Sequence, residues 1–467
     1  MNFLFEDASL GSIFLFGIII VLLLLYIPFI MKYKDKVKEL SRIKKFFLFD
    51  NVTELPNEYF FKENYKYKNQ SFYLLDCKHE KQLKRAYGQK SLDIAMKGIV
   101  SPLKKLVEEK DLQLYKYKEF GFLIVSKKVE VLDGLDENIL ELFSQFNQSV
   151  TIFGNKCPID FWISTYNTTV TEVVDDIIDK LEAGIILHKR NKDSSLYCNI
   201  DIEMYENFME INGFEKELFS MNIEENVIPY YQLKYDISSN KVIGCEALAR
   251  IIHPKRGVMS PDSFIPFFEE IKQIDRVDVA IFKKVCEDVS EWFSRDLLAE
   301  DFRVSVNFSS YTIENIDMLE LFSSVVEKTG IKYTALDLEL TETLETENMA
   351  LVAKRLKALS ELGVIISLDD FFAGHSNFER INMLPVNNLK LDKTFLEESL
   401  KSNNLELIKS IKTFTESNNL SLIVEGVETE EHIRFLKEIG INLVQGYYYS
   451  KPLSKESLED TPFNNKI

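Results

Sequence analysis

"IPYYQLKYDISSNKVIGCEAL", Ile228 to Leu248, holds two β-type runs joined only by "DISSN". A crossover between parallel strands needs a dozen or more residues, so this link predicts an antiparallel pair. Further apolar runs follow in regular order: "FRVSVNF" from Phe302, "ALDLELT" from Ala335, "GVIISLD" from Gly363, "NNLKLD" from Asn387, "SLIVEGV" from Ser421 and "LVQGYY" from Leu443. With the opening pair they make eight strands. Most are separated by amphipathic or polar stretches such as Asp262 to Phe293, Glu314 to Gly330 and Glu430 to Gly440, which suit crossover helices. Eight strands with outer helices in about 250 residues predict a (β/α)8 barrel of the TIM type, here with an antiparallel first strand.

The chemistry of such a barrel gathers at the C-terminal ends of its parallel strands. Those ends carry Glu246, Asn307, Glu339, Asp369 with Asp370, Lys390, Glu425 and Gln445. Five carboxylates at one mouth repel one another unless cations neutralise them. An oxygen donor set without His or Cys favours hard ions such as Mg2+ or Mn2+. Consecutive strand residues face opposite sides, so Asp369 and Asp370 are expected to share a site only where their strand has ended. There they suit a pair of ions, which implies a phosphoester substrate. Lys390, next in line, is placed to orient water or balance developing charge.

The remainder of the chain reads differently. From Phe46 to about Asn199, short apolar strands ("FYLLDC", "FGFLIVS", "IDFWIST") alternate with helical stretches such as Lys81 to Val107 and Thr171 to Leu187, predicting an α+β or α/β domain. Gly11 to Met31 carry no charge over 21 residues, enough for a transmembrane helix. The following segment, Lys32 to Lys45, has seven Lys/Arg against two acids. By the positive-inside rule these features predict a single-pass protein of the cell membrane, with its N-terminus outside and its catalytic domains cytoplasmic. The expected layout is a span at 11–31, a basic linker at 32–45, a first domain at 46–200 and the barrel at 210–460. A formal net charge of -18 argues against a nucleic-acid partner. Five scattered cysteines without C-x-x-C spacing read as reduced core residues.

Several motifs in order, "YYQLKYD", "CEALARIIHPKRGVMSPDSFIP", "VSVNFS", "LELTETLE", "SLDDF", "LPVNNLKLDK", "IVEGVETEEHIRFLKEIG" and "VQGYYYSKPL", resemble the EAL-domain cyclic di-GMP phosphodiesterases over Phe214 to Leu453. The resemblance implies hydrolysis of cyclic di-GMP to linear pGpG with two Mg2+ or Mn2+ ions, by a protein that pairs with a second copy. It implies Glu246, Asn307, Glu339, Asp369, Asp370 and Glu425 as metal ligands. Lys390 and Gln445 complete the water and metal environment, Glu428 lines the site, and Glu342 holds the loop after the paired aspartates. Gln232 and Arg250 match substrate-contacting positions; the planar fork of an arginine suits phosphate. One departure falls at Phe371 to His375. There "DDFFAGHSN" stands where the family has a DDFGTGYSS-like loop, and Phe372 lacks the backbone freedom of the glycine it replaces. That departure raises an alternative, a receptor or scaffold that binds cyclic di-GMP without turnover.

The first domain resembles GGDEF diguanylate cyclase domains through "DNVTELPNEYFF" at Asp50 and "LLDCKHEKQLKRAYGQ" at Leu74. Its signature position, Lys116 to Phe120, reads "KYKEF". Asp76 matches a family metal ligand, whereas Lys78, Lys84 and Arg85 replace family acid and nucleotide-binding positions. A degenerate, cyclase-inactive domain is expected.

Overall fold

In the computed structural model the described residues are 10–65, 70–78, 80–109, 111–126, 149–152, 155–158, 160–168, 170–190, 197–341, 348–371, 381, 383–401 and 405–460. The chain divides into two compact units, Met1–Phe214 and Glu215–Ile467.

The first unit is built on a sheet whose strand order is Leu112–Tyr117, Gly121–Ser126, Ser71–Cys77, Phe161–Asn167 and Cys198–Asn199. Only the last pair is parallel, so the unit is α+β rather than α/β. Alternation along Ser71–Cys77 sends Tyr73 and Leu75 to one face and Phe72 and Leu74 to the other. Tyr73 and Leu75 share a core with Met96, Ile99 and Leu103 of helix Gln89–Glu109. Phe72 and Leu74 pack with Ile177 and Leu181 of helix Val174–Arg190.

The expected membrane span is not borne out. The apolar run lies in a helix, Leu10–Leu48, that continues without a break through the charged residues from Lys32 to Lys45. Among the described residues no helix is long and apolar enough to cross a membrane. The single-pass topology inferred from that run is therefore withdrawn.

The second unit is the predicted barrel. Its strands are β1 (Val227–Asp236), β2 (Lys241–His253), β3 (Arg303–Asn307), β4 (Leu336–Thr341), β5 (Ile365–Phe371), β6 (Asn388–Leu391), β7 (Ser421–Val424) and β8 (Leu443–Gln445). β2 to β8 pair in parallel sequence order, and β1 closes the ring antiparallel to both β2 and β8. The short link read from "DISSN" has this consequence. β2 runs beyond the barrel to His253, where it pairs with a short strand, Gly257–Met259, so Glu246 lies mid-strand rather than at a strand end.

Polar residues alternate with apolar ones along the parallel strands. Ser305 and Asn307, Asp337 and Glu339, Ser367 and Asp369, and Asn388 and Lys390 are each two apart and share a face. The residues between and beside them, among them Val304, Val306, Leu336, Leu338, Ile366, Leu368, Leu389 and Leu391, are buried apolar side chains. The apolar rows face the surrounding helices, and the polar rows fill the barrel.

Candidate active site

Lys390 is the centre of the polar interior. Its side chain is fully enclosed, and its ammonium lies 2.7 Å from Glu425 Oε1, 2.8 Å from Glu339 Oε2, 3.1 Å from Glu246 Oε2 and 3.1 Å from Asp369 Oδ1. Three strands and one strand-end loop thus converge on the cation that β6 supplies. Glu246 is further held by Asn307, whose Nδ2 donates to Oε1 at 2.7 Å, and by Gln445, whose Nε2 donates to Oε2 at 2.7 Å. Gln445 Nε2 also reaches Gln232 Oε1 at 3.1 Å. Gln232 stands directly opposite Glu246 across the β1–β2 register, where the antiparallel first strand brings it to the site. Its own Nε2 donates to the Ser450 carbonyl at 3.0 Å. Gln445 Oε1 is buried with no hydrogen-bond partner among the described residues.

Two local devices aim the carboxylates. The strand that carries Asp369 and Asp370 has not ended there, as the sequence reading required. Instead, the β5–β6 register slips between Leu368 and Phe371. Two residues oppose Lys390 where one is usual, and such a bulge re-aims side chains. The Asp370 side chain lies outside the described residues, as do Glu342 and the loop residues from Phe372 to Arg380. After β7 the chain turns at Gly426 with φ +64°, and a Cβ there would fall 2.3 Å from Lys393 Cβ. This turn sets Glu425 toward Lys390, while Glu428 points elsewhere and pairs with Lys393 at 2.6 Å. The described contacts therefore leave Glu428 outside the Lys390 cluster. Arg250, on the β2 extension, is half-buried, with its guanidinium 5.5 Å from the Tyr230 ring centre and Nη1 donating to the Ala249 carbonyl at 2.8 Å.

The electrostatics are unbalanced. Burial pushes the Glu246 carboxyl above its usual range against the pull of Lys390, and burial takes Glu425 up to about 8 against the same lysine. Glu339 is buried too, but Lys234 and Lys390 together hold it down to about 2. Two ammoniums, Lys390 and Lys234, do not neutralise the five carboxylates of Glu246, Glu339, Asp369, Glu425 and Asp337. Oxygens of Glu246, Glu339 and Asp369 lie within 4.8 Å of one another. An enclosed, all-oxygen, charge-deficient donor set of this kind fits a hard divalent cation.

A second buried polar group lies behind this ring and was missed in the sequence. Lys234 of β1 bonds Glu339 Oε1 and Ser305 Oγ, each at 2.5 Å, and Ser305 and Ser367 both donate to Asp337. The signal was present in the i, i+2 alternation of "VSVN", "LDLEL" and "SLD".

The EAL domain family model matches residues 216–452. The chain belongs to the EAL domain family. NbdA of Pseudomonas aeruginosa, a cyclic di-GMP phosphodiesterase, is 32% identical over 248 residues, which are 53% of this chain and 31% of NbdA. MucR of the same organism, a bifunctional diguanylate cyclase/cyclic di-GMP phosphodiesterase, is 24% identical over 88% of this chain and 61% of its own length. The chain spans about half the length of the curated relatives it matches. The solved structure of the EAL enzyme Bd1971 in its cAMP-bound form superposes with a TM-score of 0.51 at 20% identity, covering 75% of this chain and 91% of that one. That likeness speaks for the fold.

At "KYKEF" the Lys116 ammonium turns inward and donates to the carbonyls of Tyr117, Lys118, Glu119 and Gly121 at 3.2, 2.7, 2.9 and 3.0 Å. Lys118 takes a left-handed conformation with φ +42°. Glu119 is paired with Lys84 at 3.1 Å and Asp76 with Lys189 at 2.5 Å, and Lys78 lies 4.3 Å from the Trp162 ring centre. Lys189 thus stands against Asp76, the acid that the cyclase resemblance matches to a metal ligand. Cys77, Cys198, Cys245 and Cys286 are buried free thiols; the side chain of Cys157 lies outside the described residues.

Proposed function

We propose that this chain hydrolyses cyclic di-GMP to linear pGpG with two divalent ions, Mg2+ or Mn2+. The observation that carries the reading is the convergence of Glu246, Glu339 and Asp369 oxygens within 4.8 Å, at the positions where the EAL motifs put metal ligands. When bound, the ions supply charge neutralisation at the phosphodiester and Lewis-acid activation of water. The chain's own residues do the rest. Lys390 gathers four carboxylates to one point and keeps a cation beside the scissile phosphate. Asn307 and Gln445 fix the two oxygens of Glu246, so this ligand is oriented before substrate arrives. Gln445 Oε1, enclosed and without a described partner, offers an acceptor for the attacking water. Arg250 offers its planar fork to the second phosphate. Asp370 and Glu425 complete the ligand set, with Glu428 and Glu342 as outer groups. Water opens one phosphodiester, its proton leaves with the ribose oxygen, and one phosphate becomes terminal.

The first unit is read as a degenerate cyclase-like domain without cyclase activity, supported by the "KYKEF" hairpin and by the lysine pairs on Asp76 and Glu119. Association of two copies through the barrel belongs to the same proposal and rests on the family resemblance.

The full chain is incubated with cyclic di-GMP and Mn2+ or Mg2+, and products are separated by chromatography. The expected product is pGpG, absent from the Glu246→Ala variant. A second reading, binding without turnover, is favoured by Phe372 in the altered loop; calorimetric binding without pGpG would select it. Replacing "FFAGH" at Phe371 to His375 with "FGTGY" is expected to raise turnover if that loop is limiting.

A further inference from the structure

Lys234 has no part in the reaction as written above. It is 4% exposed, deep in the barrel, and a buried lysine is costly where packing alone would be served by an apolar side chain. Its ammonium lies 2.5 Å from Glu339 Oε1 and 3.8 Å from Asp337 Oδ2. Glu339 therefore has its two oxygens divided between two cations, Oε1 on Lys234 and Oε2 on Lys390 at 2.8 Å. Asp337 has independent support from the Ser305 and Ser367 hydroxyls at 2.7 and 2.6 Å, and Asn388 donates to Ser367 at 3.0 Å. Asp337 is thus satisfied largely by neutral donors, whereas Glu339 depends on Lys234 for one oxygen.

We propose that Lys234 is a positioning residue for the divalent-cation centre: by fixing Glu339 through Oε1, it leaves Oε2 alone directed at the point that Glu246 and Asp369 share. The inference rests on the metal-dependent reading above. Groups that hold a ligand from behind typically change metal affinity about 10–100-fold when removed. A lysine that served only to balance Asp337 would change stability and leave affinity alone.

The test is Mn2+ binding by the full chain, read from the electron paramagnetic resonance of free Mn2+ without substrate. Wild type is expected to bind Mn2+ in a manner lost in Glu246→Gln; no such binding would sink the metal reading itself. Lys234→Met is expected to bind Mn2+ about 10–100-fold more weakly, with kcat at saturating Mn2+ falling less than the affinity. The double variant Lys234→Met/Asp337→Asn removes one charge of each sign from the interior, and the same weakening is expected. A folded variant whose Mn2+ affinity stays within about twofold of wild type would overturn the inference. Failure of both variants to fold would overturn it equally, by placing Lys234 in the fold rather than at the site.

Discussion

Lys116 of the first unit and Lys390 of the barrel are both buried lysines, 5% and 0% exposed, each with an ammonium inside a ring of four residues' oxygens. The rings differ in kind. Around Lys116 they are neutral backbone carbonyls, burial dominates, and the amine is drawn down to about 8. Around Lys390 they are carboxylates, which outweigh burial and hold the amine well above its ordinary value. One ammonium completes a hairpin through neutral carbonyls. The other is outnumbered by acids, and the excess of negative charge is what divalent cations answer. Asp278 in the helix behind Asn307 mirrors Lys116 with the opposite sign. Its Oδ2 accepts from Ser309 N, Ser309 Oγ and Thr312 Oγ1 at 2.9, 2.8 and 2.6 Å, and burial raises it to about 6.

The largest expected effect is at Lys390. Lys390→Met should lower turnover by about two to three orders of magnitude. It should also destabilise the metal-free barrel by about 3–5 kcal/mol, because four acids lose their only shared cation. Added Mg2+ should restore most of that stability. The two tryptophans, Trp162 and Trp292, lie one in each unit, so urea unfolding by fluorescence assigns the loss. A loss unaffected by Mg2+ would break the contrast between the two lysines.

Asp278 should give the next effect. Its folded pKa lies above the unfolded 3.8, so the native state holds the extra proton. Its contribution is then complete below pH 4 and lost as pH rises through 6. Relative to wild type, Asp278→Asn should gain about 2–3 kcal/mol between pH 4 and pH 7. A gain that does not change with pH would contradict the assignment. The smallest effect belongs to Lys116→Met, which leaves carbonyls unmet at a cost of about 1–3 kcal/mol. No divalent cation should restore it, and the Trp162 transition reports it. The native state also releases the Lys116 proton sooner than the unfolded chain. Wild-type stability in that transition should therefore rise between pH 8 and pH 10.

The barrel was legible because alternating runs and a five-residue link constrain pairing strongly. The rim residues were legible because parallel strand ends share one mouth. Lys234 was not, since a lysine inside "YYQLKYD" reads as a surface residue until its ammonium is seen to turn into the barrel and reach Glu339 Oε1. The bulge at Asp369 and Asp370 was not legible either, because register is a property of two strands and no single run announces a slip. Nor does the "KYKEF" hairpin disclose that its first lysine folds back onto its own carbonyls. The membrane reading failed because, among the described residues, no helix is long and apolar enough to cross a membrane.

The most direct measurement is phosphorus NMR of cyclic di-GMP with the full chain. With Mg2+, the cyclic di-GMP resonance should give way to a phosphomonoester and a new phosphodiester resonance of equal area, as pGpG requires; with a chelator, or with Glu246→Gln, the spectrum should not change. A cyclic di-GMP resonance that persists with Mg2+ present and no phosphomonoester resonance, in a folded chain, would contradict the assignment of the Lys390 cluster as a hydrolytic centre.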